Sequence, residues 1–131
     1  MKKPLRLGDL QVAILRVLWD EGEATVARVT EAVAGKRRAP TTIATMLSKM
    51  ERRGLVAHRV EGRQFVYTPR LSEQEVTHTM VADLTQRLFE GDVSALVSHL
   101  LSSEEIDRDE LVRLRAMIVE RERREAGDDR G

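Results

Sequence analysis

A chain of 131 residues without cysteine has room for one compact domain and an appendage, and it excludes two full enzyme domains, disulfides and thiolate metal sites. Only 3% of the residues are aromatic and 34% are charged, so the core has to be aliphatic and long solvated helices are favoured. The net charge is zero, but residues 1–70 hold 14 Lys and Arg against 7 Asp and Glu, whereas residues 71–131 hold 8 against 15. A basic first half is expected of a surface that faces phosphates.

The chain carries no recognisable membrane-targeting signal. Its first ten residues are charged and no apolar run follows them, so neither a signal peptide nor an anchor is predicted. No stretch approaches the roughly 18 apolar residues of a membrane span, so membrane insertion is not expected. Together with the lack of cysteine, these features indicate a cytoplasmic location.

Three short helices are predicted in the first 54 residues. The first has apolar side chains at amphipathic spacing, and the second begins at Thr25, whose hydroxyl can cap it. We expect Gly35 to end the second helix, before a basic turn over residues 36–38. The third helix begins at Pro40 and ends at Gly54. The inward-facing residues of the three helices are Leu10, Ala13, Ile14, Val17, Leu18, Val26, Val29, Val33, Ile43, Met46, Leu47 and Met50.

The period then changes from helical to alternating, which predicts a β-hairpin. Two β-rich runs, residues 56–60 and 64–68, flank a turn that contains Gly62. Phe65 and Tyr67 share one strand face, and we expect both to seal the hairpin onto the helices.

The second half of the chain is predicted to be helical. A capping box over residues 72–75 starts a long helix that should end at Gly91. A short apolar helix is expected over residues 93–101, and another capped helix should start near Asp107. The tail after Glu120 alternates Arg and Glu and is expected to fray.

Three helices followed by a hairpin is the order of a winged helix-turn-helix DNA-binding domain, whose third helix enters the major groove. The predicted fold is mainly α with a small β-hairpin. A winged helix-turn-helix domain occupies residues 1–71, and a helical dimerisation arm occupies residues 72–131. The outward face of the third helix contains no acid, although Glu51 lies near its edge, so that face can approach phosphates.

Two groups of side chains are candidates for contacting DNA. Hydroxyls can hydrogen-bond base edges and methyls can pack on thymine, which makes base readers of Thr41, Thr42, Ala44 and Thr45. Cations later in the helix and around the hairpin turn are expected to contact the DNA backbone, namely Lys49, Arg52, Arg53, Arg59 and Arg63.

The arm carries apolar stripes without an obvious place on the small first domain. These stripes should bury against a second copy and form a homodimer, although they could also fold back as an intramolecular cover. Their residues are Val76, Met80, Leu84, Leu88, Leu111, Leu114 and Ile118.

Nothing in the sequence predicts an enzyme or a cofactor. The three histidines, His58, His78 and His99, lack the spacing of a helical metal site. There is also no phosphate-binding loop and no nucleophile elbow, so no catalytic residues are assigned.

Residues 39–69, "APTTIATMLSKMERRGLVAHRVEGRQFVYTP", closely resemble the penicillinase and methicillin-resistance repressors. The resemblance extends over about residues 7–119, and includes "LGDLQVAILRVLW" and the arm segment "LVSHLLSSEEIDRDELVRLRAMI". It implies a homodimer that represses antibiotic-resistance or related genes from a dyad-symmetric promoter operator. It also implies that a membrane-bound sensor protease, or a protease downstream of it, cleaves the repressor and relieves repression.

The chain departs from this family's pattern in two places. Ala39 replaces a capping residue before the third helix, which costs about 1 kcal/mol of helix stability. His99 and Leu100 stand where the family has an Asn-Phe cleavage junction, which puts proteolytic induction in doubt. The carboxy-terminal cysteines of a copper-responsive branch are absent.

Two alternative functions remain open: a regulator with an effector pocket near the arm, and a protein-interaction module that does not bind DNA.

Overall fold

The structure is a computed structural model that describes residues 5–33 and 38–129. Six α-helices and three β-strands follow one another in these ranges. Their bounds are α1 Asp9–Glu21, β1 Ala24–Thr25, α2 Val26–Ala32, α3 Pro40–Arg52, β2 Val56–Glu61, β3 Gln64–Pro69, α4 Glu73–Phe89, α5 Val93–Leu101 and α6 Arg108–Asp129. The predicted helices and hairpin are therefore present, while Gly35, Lys36 and Arg37 lie outside the described residues.

Short polar side chains and glycine fix the helix ends. The Thr25 hydroxyl accepts a hydrogen bond from the Arg28 amide at 3.1 Å and so caps α2 as predicted. Pro40 occupies the first turn of α3, and Ala39 provides no side-chain cap. α1 stops at Gly22, whose φ of 83° lies in the left-handed region that glycine tolerates.

The three strands form one antiparallel sheet in the order β1-β3-β2. In the hairpin His58 pairs with Tyr67 and Arg59 with Val66, while Thr25 of β1 pairs with Val66 from the other side. The two-residue strand β1 was not predicted, because so short a segment has no detectable alternation. It ties the loop after α1 to the hairpin.

An aliphatic core joins α1, α2, α3 and the sheet, and α4 begins against it. Its fully buried side chains are Ile14, Leu15, Leu18, Val29, Ile43, Leu47, Met50, Leu55 and Val56. Trp19 packs against this core, and its indole N–H donates a hydrogen bond to the Leu71 carbonyl at 2.8 Å. This bond holds the start of α4 next to α1.

The chain divides into two compact units, residues 1–84 and 85–131. In the second unit Asp92 caps α5. Asp107 accepts a hydrogen bond from the Glu110 amide at the start of α6, where the sequence predicts a capped helix. Neither α5 nor any other described helix is long and apolar enough to cross a membrane.

The structure differs from the expectations in three places. Val76 is only 3% exposed within the core of the first unit and Met80 packs against that core, so both have a place on their own chain. Phe65 does not enter the core beside Tyr67, because its side chain is 46% exposed. The tail after Glu120 is helical to Asp129, since Arg, Glu and Ala favour helix and Arg121 pairs with Glu125 one turn later.

Candidate nucleic-acid interface

The outward face of α3 is an exposed polar surface of the first unit. Ile43, Leu47 and Met50 are fully buried on the opposite side of this helix, which fixes its rotation. The side chains expected on the outward face are exposed, with one exception. Thr41, Thr42, Thr45, Ser48, Lys49, Arg52 and Arg53 are exposed, and Ala44 is half-buried.

Glu51, the one acid of α3, is engaged by the hairpin. Its carboxylate accepts a hydrogen bond from the His58 amide at 3.3 Å and lies 2.6 Å from the Nδ1 atom of the same residue. The His58 ring in turn stacks on Phe65, with centroids 4.1 Å apart and planes inclined by 17°. These contacts hold the hairpin against the recognition helix and turn the helix's negative charge away from its exposed face.

Arg59 is held between two carboxylates. Its guanidinium donates to Glu23 at 2.6 Å and to Glu61 at 2.8 Å. The hydrogen bond from Arg59 lowers the pKa of Glu23, and the bonds to Glu23 and Glu61 raise the pKa of Arg59. The positive charge of this predicted DNA contact is thus largely matched within the protein.

Arg53 is also engaged, by the backbone of the amino-terminal segment. Its Nη2 atom donates a hydrogen bond to the Arg6 carbonyl oxygen at 3.0 Å. By contrast, no described residue forms a hydrogen bond or ion pair with the side chains of Lys49, Arg52 or Arg63. These three cations can therefore bind phosphates without breaking a contact to residues 5–33 or 38–129.

A groove of about 1370 Å³ separates α3 from the hairpin and is also bordered by α2. Ala44 and Ser48 line its α3 side, and Arg63 and Phe65 line its hairpin side. Burial raises the pKa of Tyr67 at the base of the groove, and the negative charge of Glu51 adds to this effect.

The remaining predicted positions lie in α4, α5 and α6. His99 and Leu100 are exposed on α5, and the His99 ring lies 6.0 Å from that of Phe89. Leu84, Leu88, Leu111 and Ile118 are exposed by 38 to 68%. Among the described residues, no three potential metal ligands cluster.

Comparison with known proteins identifies the family of this chain. It matches the family model of the penicillinase repressor over residues 7–120. The penicillinase repressor of Bacillus licheniformis is 26% identical over 95% of this chain and 98% of its own length, and the transcriptional regulator BlaI of Mycobacterium tuberculosis is 33% identical over 93% and 89%. A solution structure of monomeric Bacillus licheniformis BlaI in complex with the blaP half-operator covers 57% of this chain and 93% of that one, at 32% identity and a TM-score of 0.48. The chain therefore belongs to the penicillinase repressor family and is a winged-helix, DNA-binding transcriptional repressor rather than an enzyme.

Proposed function

We propose that two copies of this chain bind a dyad-symmetric promoter operator, with α3 of each copy in a major groove and each hairpin against the adjoining backbone. The observation that carries this proposal is the exposed face of α3, whose one neighbouring acid, Glu51, is bonded to His58. A face without free negative charge can approach phosphates closely. Repression then follows from occlusion of the promoter.

The amino-terminal half of α3 is proposed to read bases. Recognition helices of this class contact base edges through their first turns, which here carry Thr41, Thr42, Ala44 and Thr45. Lys49 and Arg52 lie one to two turns later and are proposed to bind phosphates, together with Arg63 at the hairpin turn. Arg53 and Arg59 belong to the same predicted set, but both already have protein partners.

Dimerisation is assigned to the arm. Leu88 is 68% exposed and Ile118 is 57% exposed, and helices with such apolar faces are rarely left wet in water. A second copy provides the matching surface by symmetry. The arm over residues 72–131 would therefore set the spacing of two DNA-binding domains, while the first turns of α4 serve the core of the first unit.

The regulated genes are proposed to be antibiotic-resistance genes of the β-lactamase type or related genes, as family membership supports. The relief of repression is assigned to proteolysis of the arm, triggered by a membrane-bound sensor protease. His99 and Leu100 are the candidate junction, although they differ from the family's Asn-Phe pair, and both are exposed. Because they lie within α5, local unwinding has to precede cleavage. Mass spectrometry of the fragments formed in induced cells would identify the cut bond.

Binding to a duplex from upstream of the protein's own gene tests the DNA-binding proposal. If about six phosphates are contacted, the logarithm of affinity should fall with the logarithm of salt concentration at a slope of about −5. Thr42→Ala and Thr45→Ala should relax base preference by about 1–3 kcal/mol, whereas Arg52→Ala should weaken all sequences alike. A slope near zero and unchanged base preference would contradict the proposal.

A further inference from the structure

A hydrogen bond connects the amino-terminal segment to the carboxyl end of α3. Arg53 Nη2 donates it to the Arg6 carbonyl oxygen, 47 positions earlier in the chain. The helix that follows, α1, also contacts α3, where the Gln11 side-chain amide approaches the Met46 sulfur at 3.5 Å. The segment before α1 is therefore placed beside α3.

Packing directs the side chain of Arg6 outward. Leu5 and Leu7 are half-buried and pack against the core, whereas Arg6 between them is exposed. The bond from Arg53 uses the backbone oxygen of Arg6 and leaves its guanidinium available. No described residue forms a hydrogen bond or ion pair with that guanidinium.

The charge of this region continues that of α3. Lys49 lies one turn before Arg53, the residue that follows α3, and the described residues before α1, 5–8, contain Arg6 and no acid. When the first turns of a recognition helix lie over base edges, its last turn lies near the flanking backbone. Arg6 thus adds a positive charge beside the carboxyl end of α3.

We propose that Arg6 is a DNA phosphate contact at the edge of each half-site, and that Arg53 is a positioning residue that holds it there. This inference rests on the proposed binding of promoter DNA. Under this inference Arg53 does not contact phosphate itself but holds the segment that carries Arg6.

The salt dependence of binding tests the role of Arg6. Removal of one phosphate contact per subunit should make the slope of log affinity against log salt shallower by about 1.8 per dimer in Arg6→Ala. Arg16→Ala is the matched control, because Arg16 is exposed on α1 about 140° around the helix from Gln11, which faces α3. It removes the same charge and should leave the slope unchanged. Equal slopes for wild type and Arg6→Ala would overturn the proposal, and so would equal losses in both variants.

A double-mutant cycle tests the role of Arg53. If Arg53 acts through Arg6, then Arg6→Ala with Arg53→Ala should weaken binding no more than Arg6→Ala alone. Additive losses would show that Arg53 contacts phosphate itself and would overturn the positioning role. Failure of the wild-type chain to bind the upstream duplex would contradict the proposed function, whereas normal wild-type binding with an unchanged Arg6→Ala slope contradicts only this inference.

Discussion

The two compact units differ in where their apolar side chains go. In the first unit Leu15, Leu18 and Leu47 have no exposed surface, and the core is closed by its own chain. In the second unit many apolar side chains are exposed to a large degree, with Val93 at 63% and Met117 at 65%, and none of the described ones is fully buried. A unit with a closed core can fold alone, whereas a unit that leaves its apolar faces in water needs a partner surface. The contrast supports the proposal that the first unit reads DNA and the second pairs two copies.

The largest expected effect comes from a charge in the arm. Ile118→Asp should prevent dimerisation, because a carboxylate cannot be buried in an apolar interface without a partner. Loss of the linked second domain should then lower affinity for a palindromic operator by about 10²–10⁴-fold. Sedimentation velocity and gel shift measure the two effects. Glu120→Ala, an exposed change on the same helix, is the control, and an Ile118→Asp protein that stays dimeric would contradict the account.

A smaller effect, on stability, is expected from the first turns of α4, which pack in the core of the first unit. Val76→Ala should lower the free energy of unfolding by about 2 kcal/mol, because it removes two buried methyl groups from the core. Urea unfolding gives this value, and Thr77→Ala, at the adjacent exposed position, should change it little. A Val76→Ala protein with normal stability and weakened dimerisation would return this residue to the interface.

The smallest expected effect distinguishes the two arginines of the hairpin. Arg63→Ala should make the salt slope of DNA binding shallower by about 1.8 per dimer. Arg59→Ala should change the slope much less, because Glu23 and Glu61 already neutralise that guanidinium. Equal changes in the two variants, measured on the same duplex, would show that Arg59 leaves its carboxylates to bind phosphate.

The helices and the hairpin were predictable because period and caps are local signals. The capping box is an example: the Ser72 amide donates to Glu75 at 3.1 Å and the Ser72 hydroxyl accepts from the Glu75 amide at 3.0 Å. Pro40 and Thr25 likewise mark helix starts at the predicted positions. Strand β1 carries no such signal and appears only once β3 pairs with it.

The contacts that organise the interface were not predictable, since they join residues far apart in the chain. Arg59 lies 36 positions from Glu23, and Arg53 lies 47 positions from Arg6. Helical spacing identifies the exposed face of α3. It does not reveal that Arg53 and Arg59 are hydrogen-bonded to other parts of the chain. Val76 was expected in the dimer interface but lies in the core of its own chain. Amphipathic spacing identifies an apolar stripe, but it does not show which surface covers that stripe.

A comparison of residues 1–84 with the full chain tests the division of roles most directly. Both should bind a single half-site with similar affinity, because the reading surface lies within residues 1–84. On a palindromic operator the full chain should bind about 10²–10⁴-fold more tightly, through its linked second copy. Equal affinity of the two proteins for the palindrome, measured by gel shift, would contradict the claim that one unit reads DNA and the other pairs the copies.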